Sequence, residues 1–121
     1  MRKNSRHMEV HWEEEMKVIR ECVNEGDVLS NHILNQMQER DISVSDLALV
    51  LLTGKIIEGF DTGMYPGYRN PQMIRNVVGK DTRGRYINVG VAISNKLQSI
   101  SVELLTTVYE LNESKYYSRA M

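Results

Sequence analysis

The spacing of apolar residues changes once along this 121-residue chain, at Gly54. Upstream, apolar positions recur every three or four residues, as in helices, whereas downstream they alternate, as in strands. Helices first and a run of strands after them predict an α+β fold: two to three N-terminal helices packed on one face of a small antiparallel sheet of about four strands. The first helix is expected over 10–25, where Trp12, Met16, Ile19 and Val23 form a stripe and Gly26 offers a stop. The second runs from Ser30 or Asn31 to about Arg40, on Ile33, Leu34 and Met37. For the third, SDLALVLLTG, Ser43 and Ser45 offer caps, Ser43 with Asp46 three residues on, and the run is apolar enough to lie centrally. Strands are expected at 55–60, 73–80, 85–94 and 99–111, with turn-rich DTGMYPGYRNP (61–71) as a loop and DTRG as a tight turn. Alternation puts Ile87, Val89, Val91 and Ile93 on one face of the third strand. In the fourth it puts Ile100, Val102, Leu104, Thr106 and Val108 on one face.

This pattern describes one domain over 10–111, between a partly disordered segment at 1–9 and a tail at 112–121. Cys22 is the single cysteine, which excludes a disulfide framework or a cysteine-based zinc site within the chain and suits a reducing cytoplasm. No stretch approaches the roughly 18–20 apolar residues of a membrane span. Basic MRKNSRHMEV lacks the apolar core of a secretory signal. A cytoplasmic protein without a membrane partner is therefore expected. The net charge of −1 hides an uneven distribution. Residues 1–66 hold seven Lys/Arg and twelve Asp/Glu, whereas 67–96 hold Arg69, Arg75, Lys80, Arg83, Arg85 and Lys96 against Asp81 alone. Such a basic segment suits either an anion-binding face, nucleic acid being the commonest polyanion, or a hairpin edge that uses cations to block edge pairing.

The stretch LSNHILNQMQERDI (29–42) carries the strongest chemical suggestion. Steps of four return to nearly the same helical angle, so His32, Gln36 and Arg40 share a polar stripe beside apolar Ile33 and Met37. One side can bury while the other lines a groove. A histidine in a first turn sits in the positive field of the helix dipole, which favours a neutral, base-competent ring. The alternative is an ordinary packing helix, with His32 at its start and Arg40 paired to Glu39 or a neighbouring carboxylate.

The chain also resembles the small bacterial family named domain of unknown function 4258. The resemblance rests on Ser30, His32, Met37, Glu39, Arg40, Ile42 and Ser43, then Gly54, Ile57 and Glu58, then Gly79, then Thr107, Val108 and Tyr109, in that order over about 28–110. It implies a RelE- or barnase-like toxin architecture and a metal-independent ribonuclease without cofactor. It also implies RNA as substrate and an antitoxin or immunity protein as a possible partner. Metal-free RNA cleavage needs a base for the 2′-hydroxyl and a cation for the phosphorane-like transition state. The resemblance assigns these roles to His32 and Arg40, whose guanidinium matches phosphate oxygens. Thr107 and Tyr109, two apart on one strand face, would position the phosphate or assist proton transfer. Gln36, Arg75, Lys80, Arg83 and Arg85 would hold the RNA, and Tyr65, Tyr68 and Tyr86 are available for base stacking.

Three positions depart from the family pattern. Gln36 stands where arginine is usual, Ile33 where alanine is, and Asp41 where glycine is. Losing a cation at 36, and placing a carboxylate beside Arg40, would weaken phosphate binding. An inactive member that binds RNA or protein is the alternative reading. Thr107, Tyr109 and Glu58 also suit ordinary strand and surface roles. His7 and His11 have helical metal-ligand spacing but no evident third ligand.

Overall fold

The computed structural model describes residues 11–24, 29–67, 69–96 and 99–111. Three helices precede a four-stranded antiparallel sheet: α1 Trp12–Glu21, α2 Asn31–Glu39, α3 Val44–Thr53, then β1 Lys55–Phe60, β2 Met73–Lys80, β3 Tyr86–Lys96 and β4 Ser99–Glu110. The strands are neighbours in chain order, so the sheet is a simple meander. This is the α+β architecture that the change of period at Gly54 predicts. The expected N-terminal segment 1–9, the stop at Gly26 and the tail 112–121 lie outside the described residues.

Local chemistry explains the helix boundaries. The Ser30 side chain accepts from the amide of Ile33 at the start of α2. At α3, Ser43 and Asp46 form a reciprocal capping box, each side chain accepting from the other's backbone amide at 3.0 and 2.9 Å. Gly54 closes α3 because any side chain there would collide: a Cβ would stand 2.5 Å from the Val50 carbonyl oxygen and 2.6 Å from that of Val78. The sharp change of period is thus also a point of close contact between α3 and β2. Asp41 follows α2 in the left-handed region, φ 55°, where glycine is the residue that meets least steric cost.

The core lies between the helices and one face of the sheet. Met16, Ile19, Ile33, Met37, Leu47, Val50 and Leu51 from the helices meet Val77, Ile87, Val89, Val91 and Ile93. The β3 face agrees with the alternation in the sequence. The β4 face does not. Gly90 pairs with Thr107 and Val91 with Leu105, while Ala92 pairs with Leu104 and Ile93 with Val102, so Thr106 and Glu103 each bulge out of register. The core positions become Val102, Leu105 and Val108, spaced by three. Leu105 is buried and Leu104 is turned to the opposite face, 38% exposed. Strict alternation gives the wrong assignment for Leu104, Leu105 and Thr106 because two extra residues shift the phase of the pleat.

Two polar clusters tie elements together. Beneath the helices, Arg75 Nε donates to Glu15 Oε1 at 2.6 Å and Nη2 to Oε2 at 3.1 Å, with both residues about 2% exposed. Gly59, the partner of Arg75 across β1–β2, leaves room for the guanidinium, which would stand 3.0 Å from a Cβ there. At the opposite end, the 81–84 turn is pinned to the α2–α3 junction. Asp46 accepts from the hydroxyl and the amide of Thr82, Asp81 accepts from Arg85 Nε, and Arg83 reaches Asp41. The hydroxyl of Thr82, foremost, and the bonds from Ser43 hold the Asp46 carboxyl well below the usual carboxylate range, against burial, which raises it. Burial also pushes the Asp81 carboxyl up, but the backbone and guanidinium of Arg85 and the backbone of Arg83 outweigh it and the net shift is downward.

Candidate functional site

The polar stripe of α2 lies along the open edge of β4. Leu111 donates its amide to Tyr86, which sets the hydrogen-bonding phase of β3–β4 and turns the backbone groups of Val108 away from β3. Those two groups would be unpaired on an edge strand. Instead, the Val108 amide donates to Gln36 Oε1 at 3.0 Å, and its carbonyl accepts from Arg40 Nη1 at 3.1 Å. Side chains from a helix therefore do the work of a neighbouring strand and close the edge. The Thr107 hydroxyl also donates to Gln36 Oε1, at 3.2 Å, and Gln36 Nε2 lies 2.9 Å from His32 Nε2.

His32, Gln36, Arg40 and Thr107 are thus one contiguous row, brought together from positions up to 75 apart by the packing of Ile33 and Met37 beneath it. His32 and Arg40 are exposed, Gln36 and Thr107 half-buried. Among the described residues Arg40 forms no ion pair; its charge is met only by the Val108 carbonyl.

The row continues across the sheet face that the helices leave uncovered. Glu58 pairs with Asn76, Asn76 with Gly90 and Gly90 with Thr107, and directly opposed residues share a face. The Asn76 amide donates to Glu58 Oε1 at 2.8 Å, and Asn88 Nδ2 donates to Asn76 Oδ1 at 3.4 Å. Glu58, Thr107 and His32, which enter the family pattern separately, therefore fall on one line. A cleft of about 500 Å³ opens beside it, lined by Ser30, His32, Tyr65, Ile74, Leu104 and Thr107, among others. Tyr65 is placed by its loop: Asn70, fully buried, accepts from the Tyr65 amide and donates to the carbonyls of Asp61 and Gln72. The Tyr65 ring meets Phe60 edge-on at 4.9 Å.

The other residues singled out in the sequence are dispersed. Tyr109 shares the face of Thr107, opposite Asn88. Lys80 and Tyr86 pair on the same face, the ammonium 5.3 Å from the ring centre. Arg75 is a correction: it is buried on the helix-covered face against Glu15 and cannot reach an external phosphate. Arg85 is also largely committed, 2.6 Å from Asp81 and within 4 Å of Asp46 and Glu110. Arg83 remains half exposed but pairs with Asp41 at 2.9 Å. That pair corrects a second expectation, since Asp41 faces Arg83 and not Arg40. Arg40 in turn contacts Val108 rather than Glu39. Tyr68 and His7 lie outside the described residues. Among those described, no three His, Cys, Asp or Glu side chains stand close enough to hold a metal ion, and no helix is long and apolar enough to cross a membrane.

Sequence reasoning passes over Asn76 and Asn88, the buried amides behind the row. Their signal is an asparagine inside each of two strands rich in apolar residues, MIRNVVGK and RYINVGVAIS. It also reads Gln36 as a lost cation, whereas the structure makes it the joint between helix and strand.

An α+β meander with a helix side-chain row closing its last strand is the class that this geometry defines. The family model for domain of unknown function 4258 matches residues 29–110, and the chain belongs to that family. The matched span begins at the residue before the Ser30 cap and ends with β4, so it contains the whole row and leaves out α1. No curated protein and no solved structure matches the chain.

Proposed function

We propose that the row and its cleft form an RNA site, and that the protein is a metal-independent ribonuclease of toxin type with a RelE-like arrangement of elements. The observation that carries this reading is the junction of α2 with the β4 edge. It places an exposed imidazole, an exposed guanidinium without an ion pair among the described residues, and a hydroxyl along one strand edge beside an open cleft. In this reading His32 takes the 2′-hydroxyl proton, and Arg40 stabilises the charge that develops on the phosphate. A guanidinium has five donors, and one is engaged at Val108, so the remainder are available to phosphate oxygens. Thr107 and Tyr109 orient the phosphate. Tyr65, Leu104 and Ile74 offer an apolar wall to an unstacked base. Lys80 and Arg83 are the cations placed for flanking backbone. A toxin of this kind would be controlled by an antitoxin or immunity protein in the cytoplasm.

A second reading, a module that binds RNA or protein without cleaving, has its own observation. Arg75, Arg83 and Arg85, three of the four expected RNA-binding cations, are held in ion pairs, and the cleft wall is mostly apolar. Incubating the purified protein with total RNA in EDTA, beside His32→Ala, separates the two. Cleavage by the parent and none by the variant is expected. Binding that weakens steeply with salt but yields no cleavage would replace the first reading with the RNA-binding second one. Salt-independent capture of a protein would remove RNA from both.

A further inference from the structure

We infer that Gln36 is a positioning residue that fixes His32 in the tautomer bearing its proton on Nδ1, leaving the Nε2 lone pair as the acceptor. The inference deepens the reading of His32 as a base and rests on that reading for its catalytic meaning, but its physical content stands on three hydrogen bonds. A backbone N–H can only donate, so the Gln36 atom facing the Val108 amide at 3.0 Å has to be the oxygen. The Thr107 hydroxyl converges on the same oxygen at 3.2 Å. With the oxygen committed, the amide nitrogen is the atom left facing the imidazole, 2.9 Å from Nε2. An NH₂ group has no lone pair to offer, so Nε2 has to accept. A ring nitrogen that accepts carries no proton, which places the single proton of the neutral ring on Nδ1. The edge of β4 thereby dictates, through one side chain, which nitrogen of a histidine on another element is basic.

Two consequences follow for the proposed reaction. The lone pair that accepts from the Gln36 amide is the one that would accept from a 2′-hydroxyl, so the substrate hydroxyl replaces one donor with another. An unconstrained histidine side chain in water favours the Nε2–H form, so without Gln36 most of the neutral ring population would carry a proton where the base needs none. An arginine at position 36 could donate to His32 but could not accept from Val108. The glutamine is therefore not merely a shorter, neutral substitute for a cation: it joins strand and imidazole through opposite ends of one amide.

The test is long-range ¹H–¹⁵N correlation spectroscopy of the histidine rings in the full chain, above the imidazole titration range. The His32 signals are assigned by their loss in His32→Asn. A protonated-type Nδ1 and an unprotonated-type Nε2 are expected in the parent. Gln36→Ala should return His32 to the Nε2–H form. Gln36→Glu keeps an oxygen for Val108 and Thr107 but turns the other end into an acceptor. It should put a proton on Nε2. An Nε2–H ring in the parent overturns the inference, and so does an unchanged ring in a folded Gln36→Ala. The parent spectrum decides the matter even if a variant fails to fold. RNA cleavage is read separately. The expected tautomer with no cleavage refutes the ribonuclease reading and leaves the Gln36 assignment standing. Cleavage with an Nε2–H ring does the reverse.

Discussion

Arg75 and Arg40 are both arginines that touch the sheet, and they show how differently one side chain is used beneath the helices and at the sheet edge. Arg75 projects beneath the helices, meets Glu15 with two hydrogen bonds and is about 2% exposed. Arg40 leaves the end of α2, gives one hydrogen bond to an edge carbonyl and keeps its charge at the surface. The first holds the fold together, and the second is available to a ligand. A cluster of cations in a sequence therefore identifies a binding face only after the side chains already engaged are subtracted. Here the subtraction removes Arg75 and Arg85 from the basic segment and leaves Arg83 half exposed but paired with Asp41.

The comparison breaks most readily at Glu15. Glu15→Gln leaves Arg75 as a buried charge without its counterion, and a loss of about 3–5 kcal/mol in urea-unfolding free energy is expected. Replacing both partners with apolar residues, Glu15→Leu with Arg75→Met, should cost less than the single change. A single-variant loss below about 1 kcal/mol would put Arg75 in the same class as Arg40.

Acid titration probes the pinned turn at the far end of α2. Asp46 has a folded-state pKa below its unfolded value of about 3.9, so its stabilisation is fully present above about pH 4. It is lost as pH falls through the depressed folded value. Thr82→Val removes the main hydrogen bond responsible and should cost about 1.5–3 kcal/mol at neutral pH. It should also raise the Asp46 pKa and flatten the acid limb of the urea midpoint measured from pH 7 to pH 2. An acid limb of unchanged steepness would show that Asp46 is not what the turn depends on.

Arg40→Met is expected to cost about 0.5–1.5 kcal/mol, the value of one hydrogen bond from a side chain to a backbone carbonyl. Its larger effect should be on RNA, where losing one phosphate contact lowers the slope of log affinity against log salt by about 0.7 for a single strand. An unchanged slope would place Arg40 with Arg75 as a structural residue. His32→Ala is expected to change stability least, within about 0.5 kcal/mol, since the ring is exposed. RNA cleavage should fall by about 10²–10⁴-fold in the same variant. A stable variant with undiminished cleavage would remove His32 from the site.

Much of the fold is legible in the residue pattern. Ser43 with Asp46, the run to Gly54 and the alternation of Ile87, Val89, Val91 and Ile93 each encode their local structure within a few residues. β4 is less legible, because a bulge leaves the composition of a strand unchanged and shifts only its phase, so Leu104 and Leu105 exchange faces. In the site, helical spacing alone shows that His32, Gln36 and Arg40 share a stripe. It cannot show what the stripe meets.

The sequence by itself determined the elements, their order, the α+β class and the polar stripe, because periodicity, caps and turn residues act over distances of a few residues. Only the tertiary structure decided that Val108 is the strand position facing that stripe. It also decided that Asp41 turns to Arg83 and away from Arg40, and that Arg75 is buried while Arg40 is not. Those outcomes depend on contacts between residues 42 to 72 positions apart. Their geometry is set by the packing of helices on a bulged sheet, which no local pattern of charge or hydrophobicity encodes.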